Sequence, residues 1–334
     1  MRAAILYGPR DIRIERRGDL APGAGEAVVR VSASGLCGTD YRIWSGDRPV
    51  TYPLIMGHEF IGEVAAVGVG VHALRPGQRV AVEPNFSCGV CPLCREGNRN
   101  LCLSRTAVGI DVNGGFSEQA CVPVRCCWPA PTGISDDQLM LAEPLAVVVR
   151  AVGRADTAAG ESAAVLGVGA LGLLAIQLLK AKGLRVLAVG RTDRREHLAR
   201  VLGADGFATT EGGGAGEAAR TFSGREGVDL AVETAGTAMA VGQSIELARP
   251  GGRVVLTGLP HEASTVNFFS VVRREISIVG SMIYREEFPE AIRLLAEGKV
   301  RVEQIVTHRF PLDRIQEAFV AHRSPHAIKV SVAT

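Results

Sequence analysis

The stretch that decides the fold is Ala163-Ala-Val-Leu-Gly-Val-Gly-Ala-Leu-Gly172. An apolar strand candidate is followed at once by G-x-G-x-x-G, which opens an apolar helix predicted over 171–182. The first glycine permits a tight turn, the second lets backbone approach a pyrophosphate, and the third lets helix and strand pack closely. We therefore predict a dinucleotide site; a well-packed glycine turn is the alternative. The predicted cofactor-binding residues of this fingerprint are Gly167, Gly169, Ala170, Leu171 and Gly172.

Outward from this fingerprint, strand and helix candidates alternate from about residue 145 to residue 280. Alternation of this kind predicts a doubly wound parallel sheet with helices on both faces, a Rossmann cofactor-binding domain over 147–283. Residues 1–146 instead contain short β-branched strands joined by Gly and Pro turns, which predicts a β-rich domain. Residues 284–334 contain one helix and strand-like ends, and we expect them to return to that first domain. The fold class is α/β.

The strand after the fingerprint ends in Val189-Gly-Arg-Thr-Asp-Arg-Arg195, and this ending bears on the choice of cofactor. An NAD site usually places a carboxylate here to bind the ribose hydroxyls, whereas Gly190 occupies that position. Arg191 and Arg195 could bind a 2′-phosphate, and Thr192 could donate to it. The segment predicts NADP; the alternative is that Asp193 reaches the ribose of NAD.

Four cysteines occur at the spacing C-x2-C-x2-C-x7-C, at Cys88, Cys91, Cys94 and Cys102. Thiolates so spaced can converge on one tetrahedral ion, and zinc is the usual ion of a closed four-sulfur site. The intervening residues are polar and cannot form a core, so a metal would organise this lobe, residues 86–104. Unrelated buried thiols, disulfides and an iron–sulfur cluster are the alternatives.

A second group of possible ligands comprises Cys37, His58, Glu59 and Glu143. A thiolate, an imidazole and one or two carboxylates would leave a zinc coordination position open for water or substrate, as catalysis requires. The spacing of these residues does not by itself bring them together.

Composition excludes several other classes of protein. The chain has 334 residues, a formal net charge of +2 and 47% hydrophobic residues, enough for two cores. No basic stripe indicates a nucleic-acid partner, which argues against a zinc-finger nucleic-acid binder. No apolar run reaches the length of a membrane span, and the start lacks a signal-peptide pattern, so we expect a cytoplasmic protein.

The segment Gly57-His-Glu-Phe-Ile-Gly62, followed by Gly68 and Val71, resembles the signature of zinc-containing medium-chain alcohol dehydrogenases. The resemblance extends over nearly the whole chain, from Cys37-Gly-Thr-Asp40 to Thr307-His-Arg-Phe-Pro311. It is greatest to the polyol, threonine and sugar-acid dehydrogenase branch, in which Glu143 occupies a ligand position. It implies a GroES-like catalytic domain beside the Rossmann domain, and a homodimer or homotetramer.

The resemblance also implies site roles. A catalytic zinc would be held by Cys37, His58 and either Glu59 or Glu143, giving two zinc ions per chain. Thr39 would carry away the substrate proton, with Asp40 supporting the ligands. The implied substrate neighbours are Thr39, Ile43, Glu143 and Tyr284.

The implied reaction moves a hydride between a secondary alcohol (a polyol, diol or sugar acid) and a nicotinamide cofactor, NADP preferred. Arg42 stands where many relatives have a relay histidine. Ile43 and Ile283 replace a tyrosine and an arginine of sorbitol dehydrogenases. The alternatives are an NAD-dependent polyol or threonine-type dehydrogenase, or a nucleotide-binding protein without activity.

Overall fold

The computed structural model describes residues 1–334 and divides into two compact units. Unit 1 consists of Met1–Glu143, Ala291–Ala296 and Val302–Thr334. Unit 2 consists of Pro144–Glu290 and Glu297–Arg301. None of the helices combines the length and the apolar character needed to cross a bilayer.

The strands of the molecule are numbered in chain order. They are β1 (Arg2–Gly8), β2 (Asp11–Arg16), β3 (Glu26–Leu36), β4 (Leu54–Ile55), β5 (Glu59–Val67), β6 (Arg79–Val82), β7 (Asn85–Phe86), β8 (Thr106–Ala107), β9 (Gln119–Pro123), β10 (Cys127–Pro129), β11 (Ser162–Leu166), β12 (Arg185–Gly190), β13 (Gly206–Thr209), β14 (Val228–Glu233), β15 (Ala248–Leu256), β16 (Ser277–Gly280), β17 (Val306–Pro311) and β18 (Lys329–Ala333).

The α-helices are numbered in the same way. They are α1 (Gly38–Ser45), α2 (Pro92–Arg95), α3 (Asp136–Met140), α4 (Ala142–Gly153), α5 (Ala170–Ala181), α6 (Glu196–Val201), α7 (Ala215–Ser223), α8 (Ala238–Leu247), α9 (Phe268–Arg273), α10 (Phe288–Ala296) and α11 (Ile315–His322). Short 3-10 turns occur at Arg99–Leu101, Val124–Cys126, Asp193–Arg195 and Leu312–Arg314.

Unit 1 is built on a seven-stranded sheet in the order β10-β6-β5-β3-β18-β17, with β9 also paired to β3. Strands β3 and β5 run antiparallel over most of their length, and their buried side chains face an apolar core. A separate three-stranded sheet, β2-β1-β4, packs on a second apolar cluster that includes Ile43, Phe116 and Phe319. The long β3–β5 pairing brings the end of β3 next to the start of β5, where the candidate metal ligands lie.

Unit 2 contains a six-stranded parallel sheet in the order β13-β12-β11-β14-β15-β16. Strands β11 and β14 are buried along their whole length because helices cover both faces, and their small and β-branched residues suit that position. The strand order reverses direction between β11 and β14. Ligands of open α/β sheets bind at the carboxyl ends of strands at such a switch point.

Candidate functional site

Three of the predicted ligands lie where β3 ends and β5 begins. Cys37 directly follows β3 and is the N-cap of α1, while His58 directly precedes β5 and Glu59 is its first residue. Register pairs Gly35 with Glu59, and a Cβ on Gly35 would lie only 2.3 Å from Glu59 Oε2. Glycine at 35 therefore makes room for the Glu59 carboxylate. The antiparallel pairing brings together residues that are distant in sequence.

The ligand atoms of Cys37, His58 and Glu59 lie within 4.8 Å of one another. Asp40, fully buried, binds two of these residues: Oδ1 lies 3.1 Å from His58 Nδ1, and Oδ2 accepts the Cys37 backbone N–H at 2.9 Å. With Nδ1 bound to Asp40, the imidazole presents Nε2 to a cation. Sulfur, nitrogen and oxygen donors of this kind suit zinc.

Glu143, second residue of α4, is buried beside this cluster. Burial raises the pKa of Glu143 to about 7, and the negative charge of Glu59 adds to the effect. Burial disfavours the charged form of His58, yet Asp40 outweighs it and raises the pKa of that imidazole well above its ordinary value. Protons are thus retained at a buried site rich in acidic groups, and a divalent cation would replace them.

Lys329, in β18, is a member of this site that sequence reasoning missed. Its ammonium donates to both Glu59 oxygens, at 2.8 Å and 2.6 Å, and both side chains are buried. Burial disfavours the ammonium, but Glu59 outweighs it and the pKa of Lys329 is raised. The available signal was a single lysine in the otherwise apolar segment Ala327-Ile-Lys-Val330.

The predicted substrate neighbours occupy different environments. Thr39 is half-buried in the first turn of α1. Ile43 is fully buried in the apolar core of unit 1, and Tyr284, in unit 2, is buried with its ring 5.6 Å from that of Phe288. The substrate roles of these residues stay predictions.

The four cysteines of the lobe come together. Their sulfur atoms all lie within 4.8 Å of one another, with Cys102 Sγ 3.5 Å from Cys88 Sγ and 4.0 Å from Cys91 Sγ. A tetrahedron with zinc–sulfur bonds of about 2.3 Å has edges of about 3.8 Å, so these gaps fit one zinc ion. Amide N–H groups of Leu103 and Cys94 lower the pKa of Cys91 to about 6, which favours the thiolate a metal needs.

The glycine fingerprint of unit 2 connects β11 to α5. Gly167 has φ +100°, a conformation that favours glycine, and a Cβ there would lie 2.8 Å from the Ala235 amide nitrogen. A Cβ on Gly172 would lie 1.8 Å from the Gly167 carbonyl oxygen, so helix and turn approach as closely as predicted. Gly169 is the N-cap of α5. The arrangement presents unpaired helix N–H groups to an anion.

At the end of β12, the residues predicted to bind the NADP phosphate differ in how accessible they are. Gly190 is buried, and a Cβ there would lie 2.7 Å from the Thr192 carbonyl oxygen and 2.9 Å from the Phe207 ring. Packing alone therefore requires glycine, whatever the cofactor. Arg195 is half-buried and donates to the Val168 carbonyl at 2.7 Å, whereas the Arg191 side chain is 80% exposed. Arg191 is thus the more accessible of the two to a cofactor phosphate.

A parallel sheet of this order with a glycine fingerprint at its switch point, in a chain with a four-cysteine cluster and a mixed-donor cluster, is typical of metal-dependent enzymes that bind a nucleotide. Two family models match the chain: the alcohol dehydrogenase GroES-like domain over residues 23–132 and the zinc-binding dehydrogenase over residues 170–297. The chain belongs to the zinc-binding alcohol dehydrogenase family.

Similar proteins cover almost all of the chain. L-galactonate-5-dehydrogenase of Escherichia coli K12 is 33% identical over 96% of this chain and 94% of its own. A zinc-binding dehydrogenase structure from Sinorhizobium meliloti 1021, bound to NADP, is 32% identical with a TM-score of 0.94, covering 100% and 99% of the two chains. The RspB alcohol dehydrogenase of E. coli CFT073, complexed with NADH, is 31% identical with a TM-score of 0.94 and the same coverage.

These findings confirm the predicted fold class and the predicted enzyme class. The protein is a zinc-dependent oxidoreductase that transfers a hydride between an alcohol and a nicotinamide cofactor. Zinc and a nicotinamide dinucleotide are its cofactors. The similar structures hold NADP in one case and NADH in another, so the preference between them stays a prediction.

Proposed function

We propose that the enzyme oxidises a secondary alcohol carrying further oxygen groups, a polyol, diol or sugar acid, with NADP as the preferred acceptor. The observation that carries this proposal is the approach of the Cys37 sulfur and the His58 imidazole, with the Glu59 carboxylate beside them and Asp40 bound to the imidazole. The similarity to an L-galactonate-5-dehydrogenase supports the choice of substrate class.

In this proposal each residue of the site has a separate task. Asp40 fixes the His58 tautomer and, through the Cys37 amide, holds the thiolate at the start of α1. A bound zinc supplies Lewis acidity toward the substrate oxygen. Thr39, two residues beyond Cys37, accepts the hydroxyl proton of the substrate and passes it toward solvent.

We assign the third protein ligand to Glu143 rather than to Glu59. Both oxygens of Glu59 are already bound by Lys329, and moving one of them to a metal would leave a buried ammonium partly unpaired. Burial raises the pKa of the Glu143 carboxyl to about 7, and a nearby cation would favour its ionised form, which supports this assignment. Glu59 then balances the charge of Lys329 next to the ligands.

The oligomer belongs to the same proposal. Strand β16 is an edge of the unit 2 sheet, and helix α9 beside it in the chain exposes Phe268, Phe269 and Val272. An exposed edge strand with nearby apolar side chains is a natural site for pairing with a second copy. We therefore propose a homo-oligomer joined through β16.

The test is a panel of polyols, diols, aldonates, simple alcohols and threonine, each assayed with both cofactors. We expect two zinc ions per chain by metal analysis, and the highest kcat/KM with NADP and a multiply oxygenated secondary alcohol. Cys37→Ser should abolish turnover and release one zinc, whereas Cys121→Ser, outside both metal sites, should do neither. Activity confined to simple primary alcohols would contradict the substrate class.

The ligand assignment is tested in the same assay. Glu143→Gln should lower affinity for the catalytic zinc by at least the roughly ten- to hundredfold that loss of a residue supporting a metal ligand costs. Glu59→Gln should lower stability more than zinc affinity, because it leaves Lys329 unpaired. Competition with a chelator measures the first quantity and thermal unfolding the second. A larger loss of zinc affinity in Glu59→Gln than in Glu143→Gln would indicate that Glu59 is the ligand.

A further inference from the structure

Glu233 is a buried acidic residue to which the proposed reaction gives no role. It is the last residue of β14 and is 0% exposed. Its neighbour across the parallel ladder is Leu166, the residue directly before the glycine fingerprint. A carboxylate here is costly to bury, and an apolar residue would pack at lower cost. Glu233 lies at the carboxyl edge of the sheet, where ligands of such sheets bind.

The contacts of Glu233 join two loops. Its Oε1 accepts the Gly236 N–H at 2.7 Å, and its backbone carbonyl accepts the N–H groups of Thr257 and Gly258, at 3.0 and 3.3 Å. A Cβ on Gly258 would lie 2.5 Å from Glu233 Oε2 and 2.3 Å from the Gly236 nitrogen. Loops 234–236 and 257–258 therefore close around the carboxylate, and only glycine fits at 258.

The first of these loops also touches the glycine fingerprint. The Thr234 hydroxyl lies 3.0 Å from the Leu166 carbonyl oxygen and 2.9 Å from that of Gly167. The Ala235 amide is so close to Gly167 that no side chain fits between them. A displacement of loop 234–236 would therefore displace the fingerprint, and the three loops form one continuous surface at the carboxyl edge of the sheet.

The surroundings of the Glu233 carboxyl group are those of a buried hydrogen-bond acceptor and not those of a solvent-exposed acid. Burial raises the pKa of Glu233, while the amides of Gly236, Ala235 and Gly258 oppose that rise by favouring the ionised form. Oε2 has no hydrogen-bond partner. The carboxylate thus accepts the Gly236 N–H of loop 234–236, while its second oxygen is enclosed by loop 257–258, whose N–H groups bond the backbone carbonyl.

We propose that Glu233 is a positioning residue for the dinucleotide cofactor: its carboxylate accepts the Gly236 N–H, packs against Gly258 and so holds loop 234–236 against the glycine fingerprint, which gives the cofactor a pre-formed surface. The inference rests on the proposed function in one respect, namely that the fingerprint is the cofactor site. Glu233 does not touch the reacting atoms and acts through the loops that it joins.

The test compares Glu233→Gln and Glu233→Ala with the wild-type holoenzyme. Glutamine at 233 keeps one oxygen that can accept the Gly236 N–H, but it replaces the other oxygen by an NH2 group, which faces backbone N–H donors. We expect Kd for NADPH and for NADH, from nucleotide fluorescence titration, to rise together by about tenfold or more, the size of one lost hydrogen bond to a charged group. The KM for cofactor should rise in parallel, with a much smaller change in kcat at saturation.

Asp229→Asn is the matched control. Asp229 lies at the opposite end of the same strand, is also buried, and accepts a backbone N–H from Ser162 at 2.8 Å. The Asp229→Asn substitution should lower the unfolding temperature without changing the Kd for the cofactor. Unchanged Kd in Glu233→Gln, or equal increases in Glu233→Gln and Asp229→Asn that follow their losses of stability, would overturn the inference. Failure of the wild-type protein to bind either nucleotide would instead overturn the proposed function.

Discussion

At the scale of single residues, the structure separates positions that packing dictates from positions that are available to ligands. Gly190 illustrates the first kind, because a side chain there would meet Thr192 and Phe207. An exchange of Gly190 for Asp would distort β12 and could not report cofactor preference cleanly. Arg191 illustrates the second kind, since its side chain is exposed and its ion pair with Glu211 is long, at 3.7 Å.

Arg191→Ala should therefore lower kcat/KM for NADP and leave the value for NAD nearly unchanged. A charge-assisted contact to phosphate contributes about 1.5–3 kcal/mol, so the expected loss is about tenfold or more. Steady-state kinetics with both cofactors measure the ratio. Arg194→Ala, which removes an equally charged and exposed neighbour, should have a much smaller effect. Equal losses in both variants would point to general electrostatics, and a wild-type preference for NAD would contradict the NADP assignment.

Asp229 gives a prediction about pH. Burial raises the pKa of Asp229, but the Ser162 amide and Arg249 outweigh burial and bring it to about 2, below the ordinary 3.8. Because the folded pKa is depressed, its contribution of about 2 kcal/mol is present above about pH 4 and is lost as pH falls toward 2. The difference in unfolding free energy between wild type and Asp229→Asn should thus shrink across that window. A constant difference would contradict this prediction.

At the scale of elements, the lobe of residues 86–104 shows how little local structure the chain provides there without a metal. Its regular elements are the four-residue α2, the short β7 and one 3-10 turn, and Val90, Leu101 and Leu103 remain exposed. Amide N–H groups point at sulfur instead, as in the Cys91 N–H to Cys88 Sγ contact of 3.4 Å. We therefore expect the lobe to depend on a bound ion for order.

Cys94→Ser should release the structural zinc and lower the unfolding temperature or the solubility, because the ion replaces a core. Turnover per remaining folded molecule should change much less than in Cys37→Ser. Metal analysis, thermal unfolding and activity of the soluble fraction measure the three quantities. Cys121→Ser is the control, since Cys121 lies in β9 outside the cluster. Full zinc content and unchanged stability in Cys94→Ser would contradict the assignment.

Periodicity predicted the strongest elements of unit 2 because their apolar runs are long. The helix predicted over 171–182 is α5 at Ala170–Ala181, and the strand 163–166 is β11. After β12 the chain forms a 3-10 turn, Asp193–Arg195, before α6 begins. Helix α7 was hard to predict from the sequence because a run of glycines precedes it. Strand β13 was hard to predict because four residues are too few to show a period.

At the scale of the whole molecule, the two metal sites differed in how far sequence could predict them. The four cysteines of the lobe are close in sequence, so their spacing alone predicted a common ion. The catalytic cluster joins the ends of β3 and β5 with β18, and Glu59 and Lys329 are 270 residues apart. Only the register of the folded sheet brings them together, so local spacing could not reveal Lys329. The resemblance to a family supplied the other members.

The proposed homo-oligomer uses the unpaired edge of β16, the last strand of the unit 2 sheet. Ile278 lies in this strand with its side chain exposed, close in sequence to the exposed Phe268 and Phe269 of α9. If two copies join their sheets here, Ile278→Lys should place two like charges at the twofold contact and weaken association. Light scattering after gel filtration should give a dimer or tetramer for wild type and a smaller species for the variant. Val69→Lys, which alters an exposed apolar residue of unit 1, should keep the wild-type mass. A monomeric wild type, or an Ile278→Lys variant of unchanged mass, would contradict pairing through β16.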